Sequence, residues 1–431
     1  MLAEIISIGD ELASGQRLDT NSQWLSQQLG ELGVAVRYHT TVADDLEANV
    51  EVFRQAAGRA DIVIATGGLG PTADDLTREA LAKMLGVELR LDQTSLDYIR
   101  GLFARRKREM PERNVVQAMF PEGGRVIPNP HGTAPGIDVT VAPPVGRPSR
   151  VFALPGVPAE MKEMWHASVV GRLIEQGAGQ QVIRHRRVKC FGVGESALEQ
   201  MLPDLIRRGR VPSVGITVSD ATITLRITAS GGTPEECYEA MEPTEAVIHE
   251  CLGSLVFGYE DDELADVVVR LLSERKATLA TVEWGTGGLV AHWLGNVPGS
   301  AGVFRGGLVA GGLAGLGDLL AVPPGTAEPS GEMAAALATA CRERCGADYG
   351  LAVGGFLEKE PEKEGEGKEE SGPPPVFLAL SSRDGVTGRS APFAAHPAIM
   401  RPLAAKQALN LLRLRLIHQE SGEPKAGKQG N

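Results

Sequence analysis

Over the first 165 residues, short apolar runs alternate with stretches in which apolar side chains recur every three or four positions. Residues 3–8 form an apolar run that closes on Gly9-Asp10, and residues 21–32 set Leu25, Leu29 and Leu32 on one helical face beside Trp24. The same alternation predicts a strand over 34–38, a helix over 46–57 and a strand over 61–66, then a glycine turn and a helix over 77–84. The run Asp-Ile-Val-Ile-Ala-Thr at 61–66 is too apolar to alternate, which places it in a sheet covered on both faces. Strand, helix, strand, helix in this order predicts an α/β domain with a parallel sheet between helical layers.

The pattern changes after residue 180. Residues 182–191 and 222–229 alternate like antiparallel strands, while 196–206 and 234–252 have helical spacing, which predicts a small α+β module. From about residue 263 a second α/β pattern begins. A helix to 273, a strand over 278–282, a glycine turn and a helix over 289–294 lead to a last helix over 403–417. A length of 431 residues, at roughly 150 per domain, agrees with three parts, bounded at 1–175, 176–258 and 259–418. The stretch 358–375, EKEPEKEGEGKEESGPPP, and the polar tail 419–431 contain nothing a core could use, and both are expected to be disordered.

The formal charge of −12 argues against a nucleic-acid binder, whose affinity rests on Lys and Arg neutralising phosphates. Seven Glu and three Lys between 358 and 370 place −4 of that charge in the insertion. The run Arg105-Arg-Lys-Arg108 is a local exception, read as a solvated face that could steer an anion. Five cysteines without a CxxC pair, and no signal-peptide core before Asp10, predict reduced thiols in a cytoplasmic protein. Cys341 and Cys345 share a helical face, but nothing completes a zinc site, so burial is their ordinary reading. The most membrane-like stretch, 306–322, holds six glycines and Asp318 and falls short of a span. His131 and His39 are read as exposed.

Ligands of open parallel sheets sit beyond the carboxyl ends of the strands. Three segments meet that condition: Gly9-Asp10-Glu11-Leu12, Ala43-Asp44-Asp45, and the loop from Thr66 through Gly67, Gly68, Gly70 and Thr72 to Asp74, Asp75 and Thr77. A Gly-Gly-x-Gly turn between a buried strand and a helix exposes backbone N–H groups to an anion. Carboxylates beside such a cradle make sense when a divalent cation bridges them to phosphate, a combination that suits polyphosphate hydrolysis. Asp74 and Asp75 equally suit a helix start, where acidic residues are favoured anyway, and Asp10 alone is an ordinary turn residue. Spacing leaves these readings open.

Four ordered motifs add a resemblance. Gly9-Asp-Glu-Leu with Gly15 and Asp19-Thr-Asn21, Gly67-Gly-Leu-Gly-Pro-Thr72 with Asp74-Asp75, Asn129-Pro-His-Gly-Thr-Ala-Pro-Gly136, and Leu154-Pro-Gly-Val-Pro with Glu160-Met161 together resemble the CinA family. Gly192-Val-Gly-Glu-Ser196 extends the likeness over nearly the whole chain. The resemblance implies a three-layer MogA/MoaB-like domain of the molybdopterin-binding fold and a KH-like middle module lacking an evident basic Gly-x-x-Gly clamp. It also implies an ADP-ribose pyrophosphatase needing magnesium or cobalt, with K+ a further candidate, and a homodimer. On it, Asp10, Asp74 and Asp75 are catalytic; Asp10, Asp44 and Asp74 hold metal. Gly67, Gly68, Gly70 and Thr72 hold phosphate, and Asn129, Gly132, Thr133 and Pro155 line the pocket. The alternative is a non-catalytic protein that binds a pterin or nucleotide in the same pocket.

The last domain resembles the family's nicotinamide mononucleotide deamidase, whose strand-to-helix turn Ala-Glu-Ser-Cys-Thr-Gly-Gly carries the serine nucleophile. This chain reads Val282-Glu-Trp284-Gly-Thr-Gly-Gly288. Tryptophan has no nucleophilic oxygen, so covalent catalysis at that position is impossible. Gly311-Gly312-Leu313 and Leu316 replace a Tyr-Ser-Asn and lysine, and Gly354-Gly355-Phe356 replaces a Thr-Gly. The deamidase is therefore expected to be lost. A packing scaffold is the plain reading, with Thr286 capping a helix; a retained ligand stacked on Trp284 is the other.

Overall fold

The computed structural model describes residues 1–142, 147–202, 204–207, 209–321, 329–355, 375–392 and 396–418. The acidic insertion up to residue 374 and the tail 419–431, both expected to be disordered, lie outside the described residues. The chain divides into two compact units, Met1–Arg184 with Ala229–Ala240, and His185–Thr228 with Met241–Asn431.

In the first unit, β1 (Leu2–Ile8), α1 (Thr20–Glu31), β2 (Ala35–Val42), α2 (Leu46–Arg59), β3 (Ile62–Thr66) and α3 (Thr77–Leu85) follow the predicted order. Then come β4 (Arg125–Ile127), β5 (Gly136–Val141), β6 (Ser149–Leu154) and α4 (Pro158–Met164). The sheet order is β2-β1-β3-β6-β5-β4. Alternate residues face opposite sides of a strand, and the core shows it. Ala3, Ile5, Ile62 and Ile64 pack with Leu25, Leu29 and Trp165, whereas Ile6, Ile8, Val63 and Ala65 pack with Phe53 and Leu81. Two buried faces make three layers. Asp19 and Asp45 start α1 and α2 by accepting the Ser22 and Ala48 N–H groups at 2.9 and 2.8 Å.

Two differences from expectation have local causes. β2 runs on to Val42, because its residues from Ala35 pair with β1 except at a bulge at Arg37, and this puts exposed His39 within the strand, bonded to Ser26. The sheet is mixed: β6 returns beside β5, and β5 beside β4, in antiparallel register, so only β2-β1-β3-β6 is parallel.

From residue 182 the chain carries β7 (Val182–Cys190), β8 (Ser213–Ser219), β9 (Thr222–Gly231), α5 (Pro234–Leu252) and β10 (Val256–Tyr259), in the sheet order β8-β9-β7-β10. The helix expected over 196–206 stops at Met201, since the residue before Pro203 disfavours helical backbone and Leu202 is extended. There follow α6 (Leu264–Glu274), β11 (Leu279–Trp284), α7 (Leu289–Asn296), β12 (Phe304–Ala310), β13 (Tyr349–Gly354), β14 (Pro375–Ser382), β15 (Gly385–Pro392) and α8 (Pro397–His418). Their order is β12-β11-β13-β14-β15, with the first three parallel. Phe191 and Phe257 of the small module belong to the same buried cluster as Leu409 and Leu412. Cys341 is buried, with its thiol on the Thr281 carbonyl at 3.3 Å, and burial pushes it up to about 12. Among the described residues no helix is long and apolar enough to cross a membrane.

Candidate functional site

β1 lies between β2 and β3, so the chain leaves its neighbours in opposite directions at the carboxyl ends of β1 and β3. That switch point is where open α/β sheets hold ligands, and a cavity of about 440 Å³ opens there. Gly67 ends β3 with φ 110°, and a Cβ on it would stand 2.1 Å from the Ile8 carbonyl oxygen. No other residue allows the loop to pass this close to β1. Thr77 then ties the loop to its helix, donating its hydroxyl to the Gly67 carbonyl at 2.9 Å and its N–H to that of Gly68 at 3.1 Å.

Most of the loop's donors are already engaged. The Gly67 N–H donates to the Leu154 carbonyl at 3.1 Å. Asp75 accepts the Gly70 N–H at 2.7 Å, the Thr72 N–H at 2.9 Å and the Thr72 hydroxyl. A Cβ at Gly70 would meet that carboxylate at 2.3 Å. Asp75 thus fills the place in which an anion was expected, and its two oxygens shape the loop. The Gly68 and Leu69 N–H groups have no partner among the described residues.

Carboxylates gather at the same cavity. Asp10 and Asp44 each donate a backbone N–H to the other's carboxylate at 3.0 Å. Glu11, Asp44, Asp74 and Asp75 line the cavity, whereas Asp10, paired with Asp44, is not among the lining residues. Burial and the charges of Asp10, Asp74 and Glu11 push Asp44 up, outweighing the hydrogen bond from Asp10. Asp74 is exposed. Among the described residues no group of three or more His, Cys, Asp or Glu is arranged to hold a metal. The convergence is electrostatic, without a preformed cage.

A raised carboxyl means that the folded state resists ionisation of Asp44. The resulting instability is absent below the ordinary carboxylate value and grows as pH rises from that value to the raised one. Asp44→Asn keeps an acceptor for the Asp10 N–H and removes the repulsion. Scanning calorimetry at pH 7 without divalent metal should show Tm rising by about 1–2 °C, with no gain at pH 3. An unchanged or lower Tm at pH 7 would contradict the crowding.

Of the four residues expected to line the pocket, Thr133 and Pro155 do so. Asn129 is buried behind the wall: it donates to Ala134 and Glu160 at 3.0 and 2.7 Å and accepts from His131 and Gly132. Gly132 belongs to that turn. Asp19 and Asn21 stood in the first motif without an assigned role: Asn21 donates to the Thr66 hydroxyl at 3.1 Å and the Gly156 carbonyl at 2.9 Å, and Asp19 accepts from Ser7 besides capping α1. Their clustering with Gly15 in one motif was the available signal. Arg106 of the basic run donates to the His131 carbonyl at 3.3 Å at the end of its helix, and His131 is exposed and faces Glu163 at 3.2 Å.

In the last domain Trp284 ends β11 with 4% exposure. Its register partner is Gly354, where a Cβ would come within 2.2 Å of the indole, so the ring lies across that glycine. The indole Nε1 is buried without an acceptor. Thr286 does not cap α7 as expected; its hydroxyl donates to Glu283 at 2.7 Å. Glu283, fully buried, accepts the Val290 and Ala291 N–H groups at 3.1 and 2.8 Å. A carboxylate reaches two helix amides where a short hydroxyl would reach one, which is why it takes the cap.

Family models match along the chain: "Probable molybdopterin binding domain" over residues 4–175, "Damage-inducible protein CinA KH domain" over 185–258 and "CinA C-terminal domain" over 261–416. A CinA-like protein from Frankia casuarinae is 37% identical over 439 residues, 98% of each chain. Another, from Dictyoglomus thermophilum, is 41% identical over 310 residues, 72% of this chain and 74% of that one. A crystal structure of a CinA protein of unknown function from Thermoplasma acidophilum is 35% identical, with a TM-score of 0.36, over 40% of this chain and 98% of that one. With the three family models and the Frankia relative joined to the switch-point cavity and the order of its three modules, the chain belongs to the CinA family.

Proposed function

We propose that the N-terminal domain hydrolyses the pyrophosphate of ADP-ribose or a related nucleotide with a divalent cation, magnesium or cobalt. The observation that carries this reading is the crowding of Asp10, Glu11 and Asp74 around Asp44, beside a cavity that Gly68 and Leu69, with unengaged amides, also line. The carboxylates call for positive charge, and the glycine loop offers donors to an anion. The donor set fits a hard cation, because Asp10, Asp44 and Asp74 bring only oxygen ligands. Magnesium needs one or two carboxylates when phosphate and water complete its shell, so a cation arriving with its nucleotide requires no preformed cage. Bound there, it would neutralise charge developing on the phosphoryl oxygens. Gly68 and Leu69 orient the phosphate, and Asp75 keeps their loop in shape.

The lack of a three-ligand group among the described residues favours one rival, a protein that binds a pterin or nucleotide in this cavity without turnover. The full chain should be given a panel of nucleoside diphosphate compounds, ADP-ribose included, with each metal, and AMP followed by chromatography. Metal-dependent AMP release supports hydrolysis; tight binding without products supports the rival. For the last domain we propose that deamidation is lost, since the indole of Trp284 stands where a serine would act.

A further inference from the structure

Beneath the glycine loop lies a residue that neither spacing nor motif singled out. Arg78, in the first turn of α3, has no exposed surface. Its Nη2 donates to the Leu69 carbonyl at 2.8 Å and its Nη1 to the Gly70 carbonyl at 3.4 Å, while Nε has no acceptor. Among the described residues it forms no ion pair, and burial pushes it down to about 10, against the pull of Glu79 and Asp75. An unpaired buried cation is costly and persists where something else needs it.

The Leu69–Gly70 peptide is gripped at both ends. Arg78 holds its carbonyl from below, and Asp75 holds its N–H from the cavity side at 2.7 Å. Cation at the oxygen and anion at the hydrogen match the peptide dipole, so the plane is fixed. The two amides immediately before it, of Gly68 and Leu69, are the unengaged ones.

We propose that Arg78 is a positioning residue for a phosphate-bearing ligand. It locks the Leu69–Gly70 peptide and sets an unpaired positive charge under the amides that hold the phosphate. The identity of the nucleotide rests on the hydrolysis reading above; the anion subsite does not.

The test compares the full-length chain with Arg78→Met and Arg78→Lys by titration with inorganic pyrophosphate, by Tm and by AMP release from ADP-ribose. Arg78→Met removes charge and donors at similar volume. It should keep Tm within a few degrees, while the pyrophosphate Kd rises at least about tenfold. Arg78→Lys keeps the charge, so its Kd should stay within about threefold, with the loss in KM rather than kcat. A folded Arg78→Met with unchanged Kd overturns the proposal, as does a wild-type chain that ignores pyrophosphate. If Arg78→Met does not fold, Arg78→Lys decides: unchanged KM and Kd overturn the proposal, and a rise in KM alone supports it. Pyrophosphate binding without AMP release overturns the hydrolysis reading and leaves this one standing.

Discussion

Trp284→Ala should destabilise the second unit by about 3–5 kcal/mol, a fall in Tm on the order of 10 °C. The indole belongs to a buried cluster with Leu316, Met333 and Leu337, and it covers Gly354, which has no side chain to move into the space left behind. Collapse is therefore poor and the cavity term large. One contribution runs the other way: the mutation removes a buried N–H that has no acceptor, which places the expected loss toward the lower end. Urea unfolding of the variant and the parent chain measures it, and a loss under about 1 kcal/mol would mean that the ring is not a packing element. On the proposed loss of deamidation, Trp284→Ser supplies a hydroxyl without the other polar groups the reaction would need. It should release no ammonia from nicotinamide mononucleotide; release would show that the deamidase site had needed only its serine.

Asp74→Ala should lower metal-dependent AMP release by about 100-fold or more, with Tm almost unchanged because the side chain is exposed. Asp75→Asn should behave differently. Each oxygen of Asp75 accepts from a loop amide, and an Asn would turn NH2 toward one of those N–H groups. Loss of that acceptor should cost about 1–3 kcal/mol in stability as well as turnover. Calorimetry beside the AMP assay separates the two roles. If Asp75→Asn left stability intact while removing turnover, Asp75 would act on the substrate rather than on its loop; if Asp74→Ala kept the wild-type rate, Asp74 would leave the mechanism.

Much of this molecule was legible along the chain. Apolar spacing gave β1, α1, α2, β3, α3 and α5 in order, because each buries a periodic face, and Asp19 and Asp45 supply start signals for α1 and α2. The glycine loop could be placed at a sheet's carboxyl end for the same reason: only glycine permits φ 110° beside the Ile8 carbonyl. The return of β6 beside β5 was not legible, since short strands look alike whether their partners run parallel or antiparallel.

The sequence by itself determined three modules, an α/β core and the residue types that meet at the crevice. Which oxygen bonds to which amide was decided only in the folded chain. Asp74 and Asp75 are adjacent and chemically identical, yet one is exposed and the other clasps Gly70 and Thr72. Asp10 and Asp44, 34 residues apart, satisfy each other's backbone. Glu283 reached the helix amides assigned to Thr286, and Arg78 came to lie under the loop from eight residues away. Periodicity reports which face of an element is buried. Competition among donors and acceptors is settled by distances of a few tenths of an ångström, which exist only once the strands and helices have packed.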